Sequence, residues 1–245
     1  MEAGPRKARL VGARALTYDT WEYTFAMTEP PAIRFRAGQF VSIACGVDAE
    51  GNPTRRSYSI ASPATLHDHF VLAVKLIPDG LASQYFGRLP LGAEVEFTGP
   101  MGFFVLDLQH QGDVVFGATG TGLAPVIPML DDLGSRPHER GQIRLYFGVR
   151  KLEDLFYLDK LEAFARAHPR FHYELCVTQP PESWSGGHRS RITPHLVTSV
   201  SQLDRPVYYL VGNGDMIKDV RKLLVERGVD RKKQIHTEAF FAATP

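Results

Sequence analysis

The feature that most constrains the fold is a change of secondary-structure pattern near the middle of the chain. Before about residue 105, short segments rich in Val, Ile, Phe and Tyr are separated by turn residues, and one short helix is predicted at Leu81–Leu89. The predicted strands of this half are Glu22–Met27, Gln39–Cys45, Ser57–Ala61, Phe70–Leu76 and Glu94–Thr98. Short strands at this spacing are typical of an antiparallel barrel or sandwich.

From Asp113 onward, apolar strands alternate with helices. The predicted strands are Val114–Ala118, Ile143–Gly148, Phe171–Thr178, Val207–Val211 and Gln234–Phe240, and the predicted helices are Leu123–Leu133, Glu153–Ala167 and Met216–Arg227. Such alternation predicts a parallel sheet covered by helices on both faces. We therefore expect two domains, residues 1–105 and residues 106–245.

Composition excludes several classes of protein. The 245 residues include 28 Lys and Arg against 27 Asp and Glu, so the chain lacks the positive field typical of nucleic-acid binding. Two cysteines, Cys45 and Cys176, cannot supply a four-cysteine zinc or iron–sulfur site. No apolar run approaches the roughly 18 residues that cross a bilayer, and no apolar segment follows the charged N-terminus. We expect a cytoplasmic protein without metal.

Two glycine-rich segments follow strands of the second half, at 117–122 and at 212–214. Glycines between a strand and a helix let backbone amides and a helix N-terminus approach a phosphate. The first segment matches neither the dinucleotide G-x-G-x-x-G pattern nor a P-loop, so a tight turn that binds nothing is the alternative. If the first and fourth parallel strands are neighbours, both segments flank the switch point where α/β sheets bind ligands. A bound nucleotide is favoured.

The first half carries its own pair of candidate features. In the segment Arg56-Ser57-Tyr58-Ser59, alternation along a strand places Arg56 and Tyr58 on one face. An arginine can bind a phosphate with two hydrogen bonds, and a tyrosine can cover a planar ring. Gly80-Leu81-Ala82-Ser83 precedes the short helix, where free amides favour an anion. Taken singly, these features are better explained as a surface ion pair, a packed tyrosine and an ordinary helix cap.

Five segments, in this order along the chain, together resemble the ferredoxin–NADP reductase superfamily. They are Arg56-Ser57-Tyr58-Ser59 for R-x-Y-S, Gly80–Ser83 for G-x-x-S, Gly99–Gly102 for G-P-x-G, Gly120–Pro125 for G-T-G-x-A-P and Tyr146–Arg150 for Y-x-G-x-R. The resemblance covers nearly the whole chain. It implies a six-stranded antiparallel barrel that holds FAD, followed by a five-stranded parallel α/β domain for NAD(P)H.

The resemblance also implies roles for individual residues. Tyr58 would stack on the isoalloxazine ring, Ser59 would hydrogen-bond flavin N5, and Glu238 would lie near the nicotinamide. The FAD pyrophosphate would be held by Arg56, Leu81, Ala82 and Ser83. The nicotinamide dinucleotide would be held by Gly120, Thr121, Gly122, Arg150, Arg191, Gly212, Asp215 and Met216. Phe240 or Phe241 would cover the flavin, with core packing of the last strand as the alternative.

The chain departs from the family pattern at two places. Val211 occupies the position of a cysteine that relatives commonly place beside the nicotinamide. Thr178-Gln179 replaces the Ser-Arg pair of NADPH-preferring relatives, whereas Arg191 keeps a later cation and Arg189 adds another. These features conflict, so the choice between NADH and NADPH stays open.

The predicted activity is hydride transfer between NAD(P)H and FAD N5, with electrons passed to a separate carrier such as ferredoxin or flavodoxin. The alternatives are an NAD(P)H:flavin reductase, the reductase component of an oxygenase system, and a regulatory subunit without turnover. An acidic carrier would meet basic residues at Arg6, Lys7, Arg9, Arg34 and Arg36. His67-Asp68-His69 has metal-like composition, but a solvated loop is the favoured interpretation.

Overall fold

The computed structural model describes residues 4–47, 50–135 and 141–240. These residues form two compact units. The first holds the chain up to Leu106 together with Ala124–Asp132, and the second holds Asp107–Leu123 and the chain from Leu133 onward. Within the described ranges, no helix combines the length and apolar character needed to cross a bilayer.

The first unit is built on an antiparallel sheet of six strands. The strands are β1 (Arg6–Ala15), β2 (Thr20–Glu29), β3 (Phe40–Val47), β4 (Pro53–Ser59), β5 (His69–Lys75) and β6 (Glu94–Met101), and helix α1 (Leu81–Arg88) lies between β5 and β6 in the chain. Their order in the sheet is β4-β3-β6-β1-β2-β5. A bridge between Ile60 and Leu72 joins the two ends of the sheet, so the predicted antiparallel barrel is confirmed.

The inward side chains of this sheet make one apolar core. Leu10, Phe25, Val41, Ile43 and Phe97 are fully buried, as expected when every second residue of a strand faces inward. Helix α1 contributes Phe86 to the same core. The Tyr23 hydroxyl donates to the Phe86 carbonyl at 3.2 Å, which anchors the helix to the sheet.

The second unit contains a parallel sheet with the order β11-β10-β7-β8-β9. Its strands are β7 (Val114–Thr119), β8 (Ile143–Val149), β9 (Phe171–Val177), β10 (Val207–Asn213) and β11 (Ile235–Phe240). This unit also holds the helices α3 (Leu158–Ala167), α4 (Ile192–Thr198) and α5 (Gly214–Glu226), whereas most of α2 (Leu123–Gly134) belongs to the first unit. The predicted five-stranded parallel sheet is confirmed, and the order reverses between β7 and β10.

A single carboxylate joins three segments at the amino end of this sheet. Asp113 is 5% exposed and directly precedes β7. Its Oδ1 accepts from the Gln142 amide at 2.6 Å, and its Oδ2 accepts from the Asp204 amide at 2.8 Å. Gln142 immediately precedes β8, and Asp204 lies before β10. The carboxylate therefore holds the starts of three neighbouring strands together.

The structure corrects the sequence prediction in the second unit. The single helix predicted at Glu153–Ala167 is a short 3-10 turn at Leu152–Asp154 followed by α3 from Leu158. Tyr157 has a φ of 57°, which ends any continuous helix. The break lets consecutive aromatic residues, Phe156 and Tyr157, both become buried.

Two elements were absent from the prediction. Strand β1 has short side chains and arginines in place of the expected apolar residues, and only Ala8 and Leu10 of it are buried. Helix α4 is seven residues long and contains Pro194. A proline in the first turn of a helix costs no hydrogen bond, but from the sequence alone a proline predicts the end of a helix.

Candidate functional site

The first candidate site is built on β4, the strand that carries Arg56, Tyr58 and Ser59. Strand β4 pairs with β3, so that Tyr58 lies opposite Val41 and Ser59 opposite Phe40. The Tyr58 ring packs edge-on against Phe86 of α1, with 5.1 Å between ring centroids. Arg56 is exposed, and Ser59 is 7% exposed. The structure therefore places the aromatic ring of β4 against helix α1.

Helix α1, which contacts Tyr58 through Phe86, begins with backbone donors. It is preceded by Gly80, and the amides of Leu81, Ala82 and Ser83 have no acceptor within the helix, as in any first turn. The Ser83 hydroxyl accepts from the Ile77 amide at 2.8 Å. The hydroxyl proton of Ser83 therefore points elsewhere and can be donated. Amides, a hydroxyl and the Arg56 guanidinium are donors that suit a pyrophosphate, so these residues fit FAD.

Cys45, to which the sequence gives no role, interacts with Arg56 and Tyr58. Its side chain is 2% exposed, and burial raises the pKa of its thiol to about 11, against a smaller lowering by Arg56. Burial also raises the pKa of Tyr58, with a further contribution from Cys45. Both groups are neutral at physiological pH. They can shape the pocket for an aromatic ring, and neither can act as a base there.

The segment Gly99–Gly102, expected from the sequence to form a turn, is the end of β6 and the residue after it, and it pairs with the start of β3. Gly99 has a φ of +126°, and a Cβ at this position would lie 3.0 Å from the Phe40 carbonyl oxygen. The Gln39 side-chain amide donates to the Gly102 carbonyl at 3.3 Å. The end of β6 thereby holds Phe40, the residue that pairs with Ser59.

The second candidate site is at the carboxyl ends of β7 and β10. These strands are parallel neighbours, as the switch-point argument requires. The Asn213 amide donates to Thr119 Oγ1 at 2.8 Å. A Cβ on Gly212, whose φ is +115°, would lie 2.6 Å from the Thr119 carbonyl oxygen, and a Cβ on Gly122 would lie 2.7 Å from that of Val211. The two glycine-rich tips are thus in backbone contact, which only glycine permits.

The surroundings of these tips are open on one side and capped on the other. Gly120 has a φ of +53°, and no atom lies within 4 Å of a Cβ built on it, so the backbone is open on that side. Asn213 caps α5, since its Oδ1 accepts from the Met216 amide at 3.0 Å. Asp215 is exposed in the first turn, whereas the Met216 side chain lies in the core. Met216 can therefore serve a nucleotide only by supporting the cap.

The last strand, β11, brings two further predicted residues to the same carboxyl end of the sheet. In the parallel pairing with β10, Glu238 lies opposite Val211 and Phe240 lies opposite Asn213. Both side chains are partly buried. Phe241 lies outside the described residues. Glu238 and Phe240 thus flank the Gly212–Asn213 tip.

The arginines expected to bind the ribose or 2′-phosphate of the nucleotide differ in their surroundings. Arg150 follows β8 and Arg191 immediately precedes α4, and both are exposed. Arg189 donates through Nη1 to the Pro181 carbonyl at 2.7 Å and through Nη2 to the Pro180 carbonyl at 3.4 Å. Its guanidinium holds a loop together, so Arg150 and Arg191 are the better candidates.

The predicted polar loop at His67–His69 and the basic residues near the N-terminus both make contacts within the chain. Asp68 Oδ1 lies 2.7 Å from His69 Nδ1, and the backbone carbonyls of His67 and Asp68 accept from amides of the barrel. Lys7 makes exposed ion pairs with Glu29 at 3.8 Å and with Glu94 at 3.5 Å. Part of the basic surface near the N-terminus is therefore neutralised within the chain.

Comparison with known proteins agrees with the division into two units. Residues 7–106 match the family model described as the oxidoreductase FAD-binding domain, and residues 116–222 match the oxidoreductase NAD-binding domain. Ferredoxin–NADP reductase B of Sorangium cellulosum is 35% identical over 246 aligned residues, covering 98% of this chain and 99% of the relative.

Oxygenase systems supply further relatives. The reductase component of propane 2-monooxygenase from Rhodococcus jostii is 26% identical over 96% of this chain and 63% of its own length. The crystal structure of the cytochrome P450 reductase GcoB from Amycolatopsis superposes with a TM-score of 0.85 at 29% identity, covering 100% of this chain and 72% of that one. Full-length similarity, both domain matches and the fold agree: the chain is an FAD- and NAD-binding oxidoreductase that belongs to the ferredoxin–NADP reductase superfamily.

Proposed function

We propose that this protein is a reductase that takes electrons from NAD(P)H through bound FAD and delivers them to a separate carrier, such as ferredoxin or flavodoxin. The observation that carries the proposal is that each unit contains helix starts whose first amides have no acceptor within the helix. They lie at the start of α1 in the first unit, and at the Gly120–Gly122 tip and the first turn of α5 in the second. Two such sets of amides suit two dinucleotides, one held as FAD and one exchanged.

In the FAD-binding domain, proposed to span residues 1–105, two groups of residues have distinct roles. Arg56 and the first turn of α1, including the Ser83 hydroxyl, bind the pyrophosphate. Tyr58 packs on the isoalloxazine ring, and Ser59 hydrogen-bonds flavin N5. The contact between Tyr58 and Phe86 supports this division, because it ties the ring-binding strand to the phosphate-binding helix at 5.1 Å. Such fixed placement limits the motion of both ends of the cofactor.

In the nucleotide-binding domain, proposed to span residues 106–245, backbone groups contribute most. The open backbone around Gly120–Gly122 and the first turn of α5 bind phosphates, and Arg150 and Arg191 bind the ribose end. Glu238 and Phe240 border the site on the side of the last strand. Val211 leaves the position beside the nicotinamide apolar.

When bound in the site, FAD would supply the redox chemistry, namely hydride exchange with a nicotinamide and one-electron transfer to a carrier. The protein residues therefore orient and desolvate the two cofactors, and the reaction needs no nucleophile. Ser59 provides a hydrogen bond at the reacting nitrogen, and Glu238 provides charge near the nicotinamide. This assignment makes Ser59 important for the rate and Tyr58 important for flavin affinity.

A second candidate function is the reductase component of an oxygenase. The similarity to the propane 2-monooxygenase reductase component favours it, because that match covers 96% of this chain. With two cysteines, the chain contains no four-cysteine cluster of its own, so electrons would pass from FAD directly or through a separate carrier. We place the protein in the cytoplasm in either case.

Retention of FAD distinguishes a reductase from an enzyme that releases reduced flavin. The purified protein and the Ser83→Ala variant are loaded with FAD and dialysed, and the remaining flavin absorbance is measured. We expect the wild type to retain FAD and the variant to lose it at least about tenfold faster, the equivalent of one charge-assisted hydrogen bond. The loaded enzyme is then offered ferredoxins, flavodoxins and free FMN, with carrier reduction as readout. Rapid loss of FAD together with preference for free FMN would establish a flavin reductase instead.

A further inference from the structure

Among the residues that the structure describes, Glu174, His188 and His195 form a cluster that the redox function does not use. One ligating atom from each residue lies within 4.8 Å of the others. Glu174 is in β9, His188 pairs with Cys176 at the edge of that strand, and His195 is in the first turns of α4. All three side chains are partly buried. Distant parts of the sequence thus converge on one point at the outer edge of the parallel sheet.

The contacts within the cluster are close. His188 Nε2 lies 2.5 Å from Glu174 Oε2. The rings of His188 and His195 stack with 3.6 Å between centroids and 19° between planes. The Ser190 hydroxyl lies 2.7 Å from His195 Nε2. Backbone hydrogen bonds tie His188 to β9. The His188 amide donates to the Leu175 carbonyl, and the His188 carbonyl accepts from the Val177 amide, both at 2.8 Å.

We propose that Glu174, His188 and His195 bind one divalent transition-metal ion of the zinc type. Two imidazole nitrogens and one carboxylate oxygen are a ligand set that holds zinc in proteins, with water in the fourth position. Imidazole ligands select zinc, copper, iron or nickel over magnesium and calcium. The ion replaces the proton between His188 and Glu174 and ties both to His195.

One of the three residues also borders a cavity. This cavity of about 290 Å³ is lined by Arg144, Leu145, Tyr146, His172 and Glu174. It is large enough for several waters, so water reaches the Glu174 side of the cluster. The Arg144 guanidinium also lines this cavity, and its Nη1 is 3.4 Å from Gln202 Oε1. Its charge opposes the ion, so we expect binding weaker than in a site of several carboxylates or thiolates.

The position of the ligands gives the ion a structural role. The loop between β9 and α4 starts after Val177 and ends at Arg191. His188 lies near the end of this loop, and His195 lies in the helix that follows it. A bound ion therefore fastens the loop and the helix to β9, and we expect it to stabilise the second unit.

The experiment uses FAD-loaded protein from which any affinity tag has been removed, treated with chelator and then titrated with Zn²⁺ by calorimetry. We expect one ion per chain and a rise in Tm on addition of Zn²⁺. His195→Ala and Glu174→Gln should each weaken binding by at least about tenfold and abolish the Tm shift. Glu174→Gln keeps a hydrogen-bond acceptor for His188, so it remains a test if His195→Ala does not fold.

His172→Ala is the matched control, because His172 lies two residues from Glu174 on the same strand and lines the same cavity. We expect this variant to bind one Zn²⁺ like the wild type. Absence of one-to-one binding by the wild type would overturn the proposal. Unchanged binding by His195→Ala and Glu174→Gln, or loss of binding in His172→Ala, would likewise overturn it by locating the ion elsewhere.

Discussion

At the residue scale, the candidate nucleotide site depends on a few positions where only glycine fits. Gly212 and Gly122 allow two strand ends to touch through their backbones, with the Asn213 amide bonded to Thr119 Oγ1 at 2.8 Å. Sequence reasoning made these two tips neighbours only on the condition that the first and fourth parallel strands are adjacent, and the sheet order meets that condition. It could not predict the hydrogen bond, which joins residues 94 positions apart.

Replacing Gly212 tests this contact. Gly212→Ala introduces a Cβ 2.4 Å from Thr119 Oγ1 at a φ of +115°, so the tip must shift. We expect a loss of at least about 2 kcal/mol in the free energy of unfolding and weaker NAD(P)H binding.

Gly214→Ala is the control for this change, because no atom lies within 4 Å of its Cβ and it opens α5. It should be neutral or stabilising by up to about 1 kcal/mol. Urea unfolding compares the stability of the two variants, and nucleotide titration is applied to Gly212→Ala alone, because Gly214 lies in the first turn of α5 that we propose to bind phosphates. Equal effects from the two variants would show that the contact at Gly212 is unimportant.

The cation that reads the nucleotide can also be tested by one substitution. If Arg191 binds a 2′-phosphate, Arg191→Ala should lower the ratio of kcat/KM for NADPH over that for NADH by about 10- to 100-fold, the value of a hydrogen bond to a charged group. Arg231→Ala, which removes another exposed arginine, should leave the ratio unchanged. An unchanged ratio in Arg191→Ala would remove Arg191 from nucleotide recognition.

At the element scale, packing decided what the sequence pattern could not. Most strands were predictable within a few residues because each alternates or is continuously apolar, as Val114–Ala118 is. Helix α4 was missed because it is short and contains Pro194. Tertiary packing stabilises it instead: Ile192, its first residue, packs so closely against Gly148 that a Cβ there would lie 2.8 Å from Ile192 Cγ2. The cluster of Glu174, His188 and His195 was missed for the same reason, because α4 supplies one of its members.

The stability of the parallel sheet can be tested by replacing Asp113. Asp113→Ala leaves the amides of Gln142 and Asp204 without their acceptor, and we expect a loss of about 2–4 kcal/mol in the free energy of unfolding. Asp204→Asn changes a nearby exposed carboxylate and should stay within about 0.5 kcal/mol of the wild type. Chemical denaturation distinguishes these outcomes, and equal stability of the two variants would contradict the role of Asp113.

At the scale of the whole molecule, both thiols are buried in the described structure, one in each unit. Burial raises the pKa of Cys45 to about 11 and that of Cys176 to about 12, from an ordinary value of 9.0. A thiol whose pKa is higher in the folded state stabilises that state below pH 9, and this contribution is lost as the pH rises through the folded value.

Alkylation therefore reports on folding. We expect neither Cys45 nor Cys176 to react with iodoacetamide at pH 8 in the native protein, and both to react once the protein is unfolded in urea. Mass spectrometry of the quenched protein counts the modified thiols. The free energy of unfolding should also fall between pH 9 and pH 11. Rapid modification of the native protein at pH 8 would contradict the burial of these side chains.

The two-domain fold and the membership in the superfamily rest on agreement between motif order, topology and full-length similarity. The activity is tested most directly by mixing the FAD-loaded protein with NADH or NADPH without oxygen in a stopped-flow instrument. We predict that flavin absorbance is bleached by at least one of the two nucleotides within a single turnover, and that Ser59→Ala slows the bleaching without releasing FAD. Folded protein that takes up no FAD, or FAD-loaded protein that stays yellow with both nucleotides, would contradict the assignment.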